Sequence, residues 1–214
     1  MAIEKELKYL LSANQDDNGE IADKITSMLR KHNTTFILNK NQLNNDYFDN
    51  SNLALKKMDI GLRIREFGKE YEQTVKTAGK IDGCFHQRPE YNVAIKDNHL
   101  DLLLFPEHIW PVDVDVFELQ QSLQVIFKTN FLRQTWVITQ ENSVIELAFD
   151  RGEIFISEKN EILAINELEI ELVSGDEQAL FILANQLMEV VEMKPGKLSK
   201  AARGYALYDE RENL

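Results

Sequence analysis

The sequence predicts a mainly β (α+β) fold, an antiparallel sheet or closed barrel with peripheral helices. Three observations carry that reading. Runs of two-residue alternation recur from residue 2 to residue 173, and most connect to the next run through a short turn. Helical periodicity is confined to a few stretches beside them. The charged residues on the strands are also sorted by sign, which a solvated sheet ordinarily avoids. With 214 residues, 43% hydrophobic and only 4 Pro, the chain suits one domain over residues 1–214 with a substantial core and no linker.

Residues 2–11 read as the first strand, with Glu4, Glu6 and Lys8 on one face and Ile3, Leu7 and Tyr9 on the other. Residues 16–32 read as a helix, since Ile21, Ile25, Met28 and Leu29 recur at helical spacing and Asp16 or Asp17 can cap its start. Residues 34–50 are expected to be extended, closing with Tyr47, Phe48 and Asp49. Residues 51–57 are expected to form a short capped helical turn.

In residues 60–67 Arg63 and Arg65 share one face. Residues 70–78 follow with Glu72, Thr74 and Lys76 aligned, then a turn over 79–83. Residues 85–96 form a strand presenting His86, Arg88, Glu90 and Asn92 together, although Pro89 fits only an edge or a bulge. Residues 100–124 are irregular, with a helix near 118–125 and Asp113 and Asp115 read as loop charges.

Residues 127–139 form a strand bearing Arg133, and 143–156 another, where Glu146, Ala148 and Asp150 oppose Ile145, Leu147 and Phe149. The clearest alternation is 162–173, with Glu167, Glu169 and Glu171 against Leu168, Ile170 and Leu172. Ser174 is expected to cap a helix to about residue 193, and residues 199–209 a last helix carrying Lys200 and Arg203.

The bulk numbers exclude several function classes. A net charge of −12 opposes nucleic acid, and no segment supplies the concentrated basic patch that would overcome it. A lone Cys84 cannot form an internal disulfide, and no long apolar span or leader-like region is present, so a soluble, cytoplasmic protein without membrane contact is expected. No motif sets an oligomeric state.

Sorting by sign points to a site. Acidic rows (Glu4 with Glu6; Glu167, Glu169 and Glu171) and a basic row (Arg63 with Arg65) would be prohibitive to bury unless they neutralise one another or meet ions. Carboxylates suit Mg²⁺ or Mn²⁺, one ion or two, and the four His residues form no zinc pattern. Forked guanidinium groups suit phosphates, with Lys8 and Lys76 as point charges. Neither a Walker A loop nor GxGxxG is present.

These residues resemble a known family. Glu4-x-Glu6-x-Lys8 at the N-terminus is similar to the signature of the CYTH superfamily, the triphosphate tunnel metalloenzymes. Leu62 to Arg65, Lys76, the run from His86 to Val93, Arg133, Asp150, Glu167 to Leu172 and Leu198 to Tyr205 extend the resemblance over nearly the whole chain. The order and spacing resemble the bacterial inorganic triphosphatase branch. The relatives of that branch carry a helical CHAD domain after the barrel, and no such segment follows within the 214 residues.

The resemblance implies a closed eight-stranded antiparallel barrel enclosing a charged tunnel, and metal-dependent hydrolysis of tripolyphosphate to pyrophosphate and phosphate, with ATP as a second candidate substrate. It implies Glu4, Glu6, Lys8, Lys76 and Asp150 as catalytic residues. Lys8, Arg63, Arg65, Lys76, Arg88, Arg133, Lys200 and Arg203 would bind substrate. Metal ligands would come from Glu4, Glu6, Glu90, Glu146, Asp150, Glu167, Glu169 and Glu171, with a second ion near Asp150 activating water. Rival readings are a class IV adenylate cyclase, a thiamine triphosphatase and a polyphosphate-binding module without turnover.

Overall fold

The computed structural model describes residues 2–12, 19–156 and 161–209. Among these, β1 (Ala2–Leu10), β2 (Thr35–Asp49), β3 (Gly61–Phe67), β4 (Glu70–Lys76), β6 (Phe85–Ile95), β7 (Gln124–Gln140), β8 (Ser143–Ile156) and β9 (Glu161–Ser174) form a ring. Its order is β1-β9-β8-β7-β2-β3-β4-β6, and β6 pairs back onto β1, so the barrel is closed. Every pairing in the ring is antiparallel. Two short strands add to it, β5 (Lys80–Asp82) on β6 and β10 (Lys194–Pro195) on β1.

Alternation decides which side chains enter the lumen, and here the apolar rows point outward. The outer face of one wall, including Leu7, Trp136, Leu147 and Ile170, packs under α1 (Glu20–Lys31) and α4 (Gln178–Met188). Ile25 and Leu29 of α1 and Leu180, Leu183 and Leu187 of α4 supply the covering stripes. The Trp136 indole N–H donates to Thr26 Oγ1 at 3.1 Å, which satisfies the one polar atom of that buried ring. The opposite wall buries Leu62, Val75 and Tyr91 against Leu55 of α2 (Ala54–Lys57), Leu119 of α3 (Val116–Ser122) and the turns between residues 102 and 110.

One end of the lumen is apolar. Leu43, Phe127, Phe131, Ile154 and Ile165 gather there with Tyr205 of α5 (Lys200–Asp209), so α5 closes that end. Tyr47 stacks on Phe127 with centroids 4.6 Å apart, and Tyr205 meets the same ring edge-on at 5.5 Å. A side chain at Gly204 would lie 2.3 Å from the Phe127 ring, so α5 can approach this closely only through a glycine.

Local details depart from the sequence expectations where capping comes from an unexpected direction. Asp16 and Asp17 lie outside the described residues, and α1 begins after Gly19 at φ 82°. The start of α2 is held by Asp49, which accepts from the amides of Leu55 and Lys56, and by Asn50, which accepts from Ala54; Ser51 takes no such part. The 79–83 turn contains β5. The helix expected near 118–125 starts earlier, at Val116, because Asp115 caps it through the amides of Phe117 and Glu118; Asp113 is exposed. Ser174 is the last residue of β9, and Asp176 accepts from the amide of Gln178 at the start of α4 instead. Pro89 sits where β6 loses β4 as a neighbour: that ladder ends at Lys76 and Glu90, and the Pro89 carbonyl accepts from Thr77.

Candidate active site in the barrel lumen

The inward rows meet in a cavity of about 220 Å³. Glu4, Glu6 and Lys8 enter from β1, Arg63 and Arg65 from β3, Glu72 and Lys76 from β4, and Arg88 and Glu90 from β6. Arg133 comes from β7, Glu146 from β8, Glu169 and Glu171 from β9, and Lys200 from α5. Seven of these are acidic and seven basic, so the formal charges of the lining balance and the −12 formal charge of the chain lies elsewhere.

The two signs are unevenly satisfied. Lys8 is 1% exposed and ion-paired to Glu169, with Glu6 at 3.4 Å and Glu167 at 3.8 Å. Burial disfavours its charge, but those carboxylates outweigh it and hold the ammonium well above its ordinary pKa. Lys76 donates to both oxygens of Glu4 at 2.6 and 2.7 Å. Arg133 forks onto Asp150 at 2.8 and 2.7 Å and reaches Glu169 at 2.5 Å.

Two groups of like charge remain exposed to one another. Arg65 is pushed down to about 9 by burial and by the neighbouring guanidinium groups of Arg63 and Arg133. Arg63 has only Glu90 within ion-pair range, at 3.7 Å, and its buried Nε has no hydrogen-bond partner among the described residues. On the acidic side, Glu171 faces Glu6 across the β1–β9 ladder and has no ion pair within 4 Å among the described residues. Burial, then Glu4, Glu90 and Glu6, push its carboxyl up to about 8. One part of the lumen therefore needs an anion, and another a cation.

Asp150 and Glu167 are placed differently from the other candidate ligands. Both are 0% exposed, and neither lines the cavity. Their ligand atoms and that of Glu169 lie within 4.8 Å of one another, as a metal site requires. Cations already stand there, however: Lys200 binds Glu167 and reaches Asp150 at 2.6 Å, Arg133 holds Asp150, and Arg203 binds Glu167. Burial resists the charge on Asp150, yet Arg133 and Lys200 keep its carboxyl below the usual range. Arg203, expected to bind substrate, points into this cluster and not onto the cavity.

Glu72, Asn92 and Tyr47 line the cavity without having been assigned to the site from the sequence. Glu72 and Asn92 share faces with Lys76 and Arg88, so their parity was a usable signal. Tyr47 was read as closing its strand, but it lies opposite Arg63 and lines the cavity.

Comparison with known proteins agrees with this geometry. The inorganic triphosphatase of Haemophilus influenzae is 37% identical over 166 residues, which are 77% of this chain and 46% of that protein; the chain thus spans about half of that relative's length. A Hippeastrum protein, HpAC1, described as a putative adenylyl cyclase with a dominant triphosphatase activity, superposes with a TM-score of 0.67 at 17% identity, over 97% of this chain and 96% of that one. The PH1819 protein of Pyrococcus horikoshii superposes with a TM-score of 0.53 at 21% identity over 99% of each chain. At those identities the two structures speak for the fold alone. Residues 2–205 match the CYTH domain, and with the ExExK row, the closed barrel and the two-signed lumen in place, the chain belongs to the CYTH domain family.

Proposed function

We propose that this chain hydrolyses inorganic tripolyphosphate in a divalent-metal-dependent reaction, water attacking a terminal phosphorus and pyrophosphate leaving with the electrons of the broken P–O bond. The observation that carries this reading is the paired deficit in one lumen: Arg65, crowded by the guanidinium groups of Arg63 and Arg133, and Glu171, crowded by Glu4, Glu90 and Glu6. A polyanion with Mg²⁺ or Mn²⁺ relieves both at once. The 37% identity to a triphosphatase supports the choice of substrate class.

Glu4, Glu6 and Glu171 would hold the ion, since oxygen donors at a protein carboxylate cluster suit a hard cation and Glu171 has no ion pair within 4 Å among the described residues. Bound there, a divalent ion would neutralise phosphate oxygens and polarise the reacting phosphorus. Arg63, Arg65 and Arg88 grip phosphates through forked N–H groups, while Lys8, Lys76 and Lys200 supply point charges. Asp150 acts indirectly, by fixing the guanidinium plane of Arg133 and the ammonium of Lys200. Positioning and charge neutralisation thus do most of the catalysis.

The test is phosphate release from tripolyphosphate, ATP and thiamine triphosphate side by side, with cyclic AMP measured in the same tubes. We expect kcat/KM for tripolyphosphate to exceed that for ATP by at least about tenfold, roughly 1.4 kcal/mol of transition-state binding. Comparable rates on ATP, or metal-dependent cyclic AMP, would assign the chain to nucleotide chemistry instead.

A further inference from the structure

Strand β2 has a free edge. It pairs with β7 from Thr35 to Asp49, but with β3 only from Asn44 to Phe48. Residues 35–42 therefore have one ladder neighbour, and no other backbone group among the described residues bonds to them. In an antiparallel pair alternate residues turn both their N–H and C=O away from the partner. Half of this run thus offers unpaired groups to solvent over about 27 Å.

Side chains do not screen the edge. Ile37 is 65% exposed and Leu38 50%, and residues 39–42 are exposed on both faces of the strand. Edges that stay single are usually blunted by charges, proline or a bulge. This run has one charge, Lys40, no proline, and regular register with β7 until Tyr47.

We propose that this edge is the docking site for a second copy of the chain, added antiparallel about a twofold axis at Leu38. Such an axis stands perpendicular to the sheet, so directly opposed residues share a face. It sets Leu38 against its own copy, Ile37 against Asn39 and Phe36 against Lys40. The exposed leucines cover each other, and the lysine stem lies over an aromatic ring. An axis at Lys40 would oppose like charges and run the added strand into β3, whose Glu66 already faces Asn44.

Charge favours a copy of this chain at this edge over contact elsewhere on it. Each chain carries −12, yet residues 35–42 hold no carboxylate and a single lysine, so the twofold joins two acidic bodies along an edge that brings no carboxylates together. The run is also a preformed strand, already laddered to β7, so both partners bring an ordered element and little ordering cost. The result is a continuous sheet, β7-β2-β2-β7, across two barrels.

Sedimentation velocity of the full chain from about 1 to about 100 µM is expected to show the mass rising from one chain to two. Leu38→Lys, at an exposed position outside the lumen, is expected to remain one chain throughout, with an unchanged circular dichroism spectrum. In a Cys84→Ser background, Leu38→Cys is expected to form a covalent dimer on mild oxidation, because opposed Cα atoms in such a pair are within disulfide reach. Val112→Cys in the same background, at a position fully exposed where Leu38 is half so, serves as the control. A monomeric wild type at every concentration, a dimer that survives Leu38→Lys, or crosslinking of Leu38→Cys no greater than that of the control would each overturn the proposal.

Discussion

Glu6 and Glu171 face each other directly across the β1–β9 ladder, two carboxylates set side by side in a lumen with Lys76 already bound to Glu4. Burial, then the carboxylates of Glu4, Glu90 and Glu6, raise the Glu171 carboxyl from 4.5 to about 8. The folded chain therefore keeps that proton at pH values where the unfolded chain has lost it. The group's contribution to stability is whole below about 4.5 and is lost as the pH climbs toward about 8, at up to roughly 1.4 kcal/mol per pH unit. The metal-free protein should accordingly melt at lower temperature at pH 8 than at pH 6, and Mg²⁺ should raise the midpoint more at pH 8. Glu171→Gln should flatten both trends in a calorimetric pH series; an unchanged profile would separate Glu171 from the cation site.

Glu4→Gln and Glu6→Gln keep side-chain size and remove charge. Each should abolish metal-stimulated phosphate release while leaving the far-ultraviolet dichroism of the barrel intact. Wild-type turnover in either variant, or full activity in EDTA, would remove these residues from the metal's reach.

Arg63→Ala and Arg65→Ala should each lower kcat/KM for tripolyphosphate by about tenfold to a hundredfold, as expected for losing a charge-assisted contact worth about 1.5–3 kcal/mol. Arg65→Ala should also hold or raise the melting temperature of the ligand-free protein, since burial and the charges of Arg63 and Arg133 already disfavour that cation. Kinetics like wild type in both variants would mean the phosphates are held elsewhere.

Asp150→Asn separates support from ligation. Breaking a buried, doubly paired carboxylate costs about 3–5 kcal/mol, so the variant should melt well below wild type. Its Mg²⁺ affinity by titration calorimetry should change far less than that of Glu6→Gln. The opposite ranking would make Asp150 a metal ligand after all.

Much of this site was legible in strand parity. Alternation put Glu4, Glu6 and Lys8 on one face, and the same rule aligned Glu167, Glu169 and Glu171; all six enter the barrel. Parity fixes the face of a residue but not its depth, so it could not distinguish Glu171, open to the cavity, from Glu167, sealed under Lys200 and Arg203. That distinction depends on α5, whose seat is set by Gly204 against Phe127, a contact between distant segments. The caps were obscured for a similar reason. Asp49 ends a strand yet serves α2, and also accepts from the Tyr205 hydroxyl at 2.9 Å, so its partners lie on two other elements.

Closure of the ring by β1 has a consequence for how the molecule is made. The first strand in the chain pairs with β6 and β9, so the seam joins the start of the sequence to segments synthesised much later. Loop-closure entropy places such contacts late in folding, after the β7–β8–β9 meander and the helices that cover it. Glu4 and Glu6 thus wait, unopposed by Lys76, until the last strand zips in. In a Trp110→Phe background, fluorescence from Trp136 beneath α1 should recover earlier during refolding than triphosphate hydrolysis does; recovery of both in a single phase would show the seam closing with the rest.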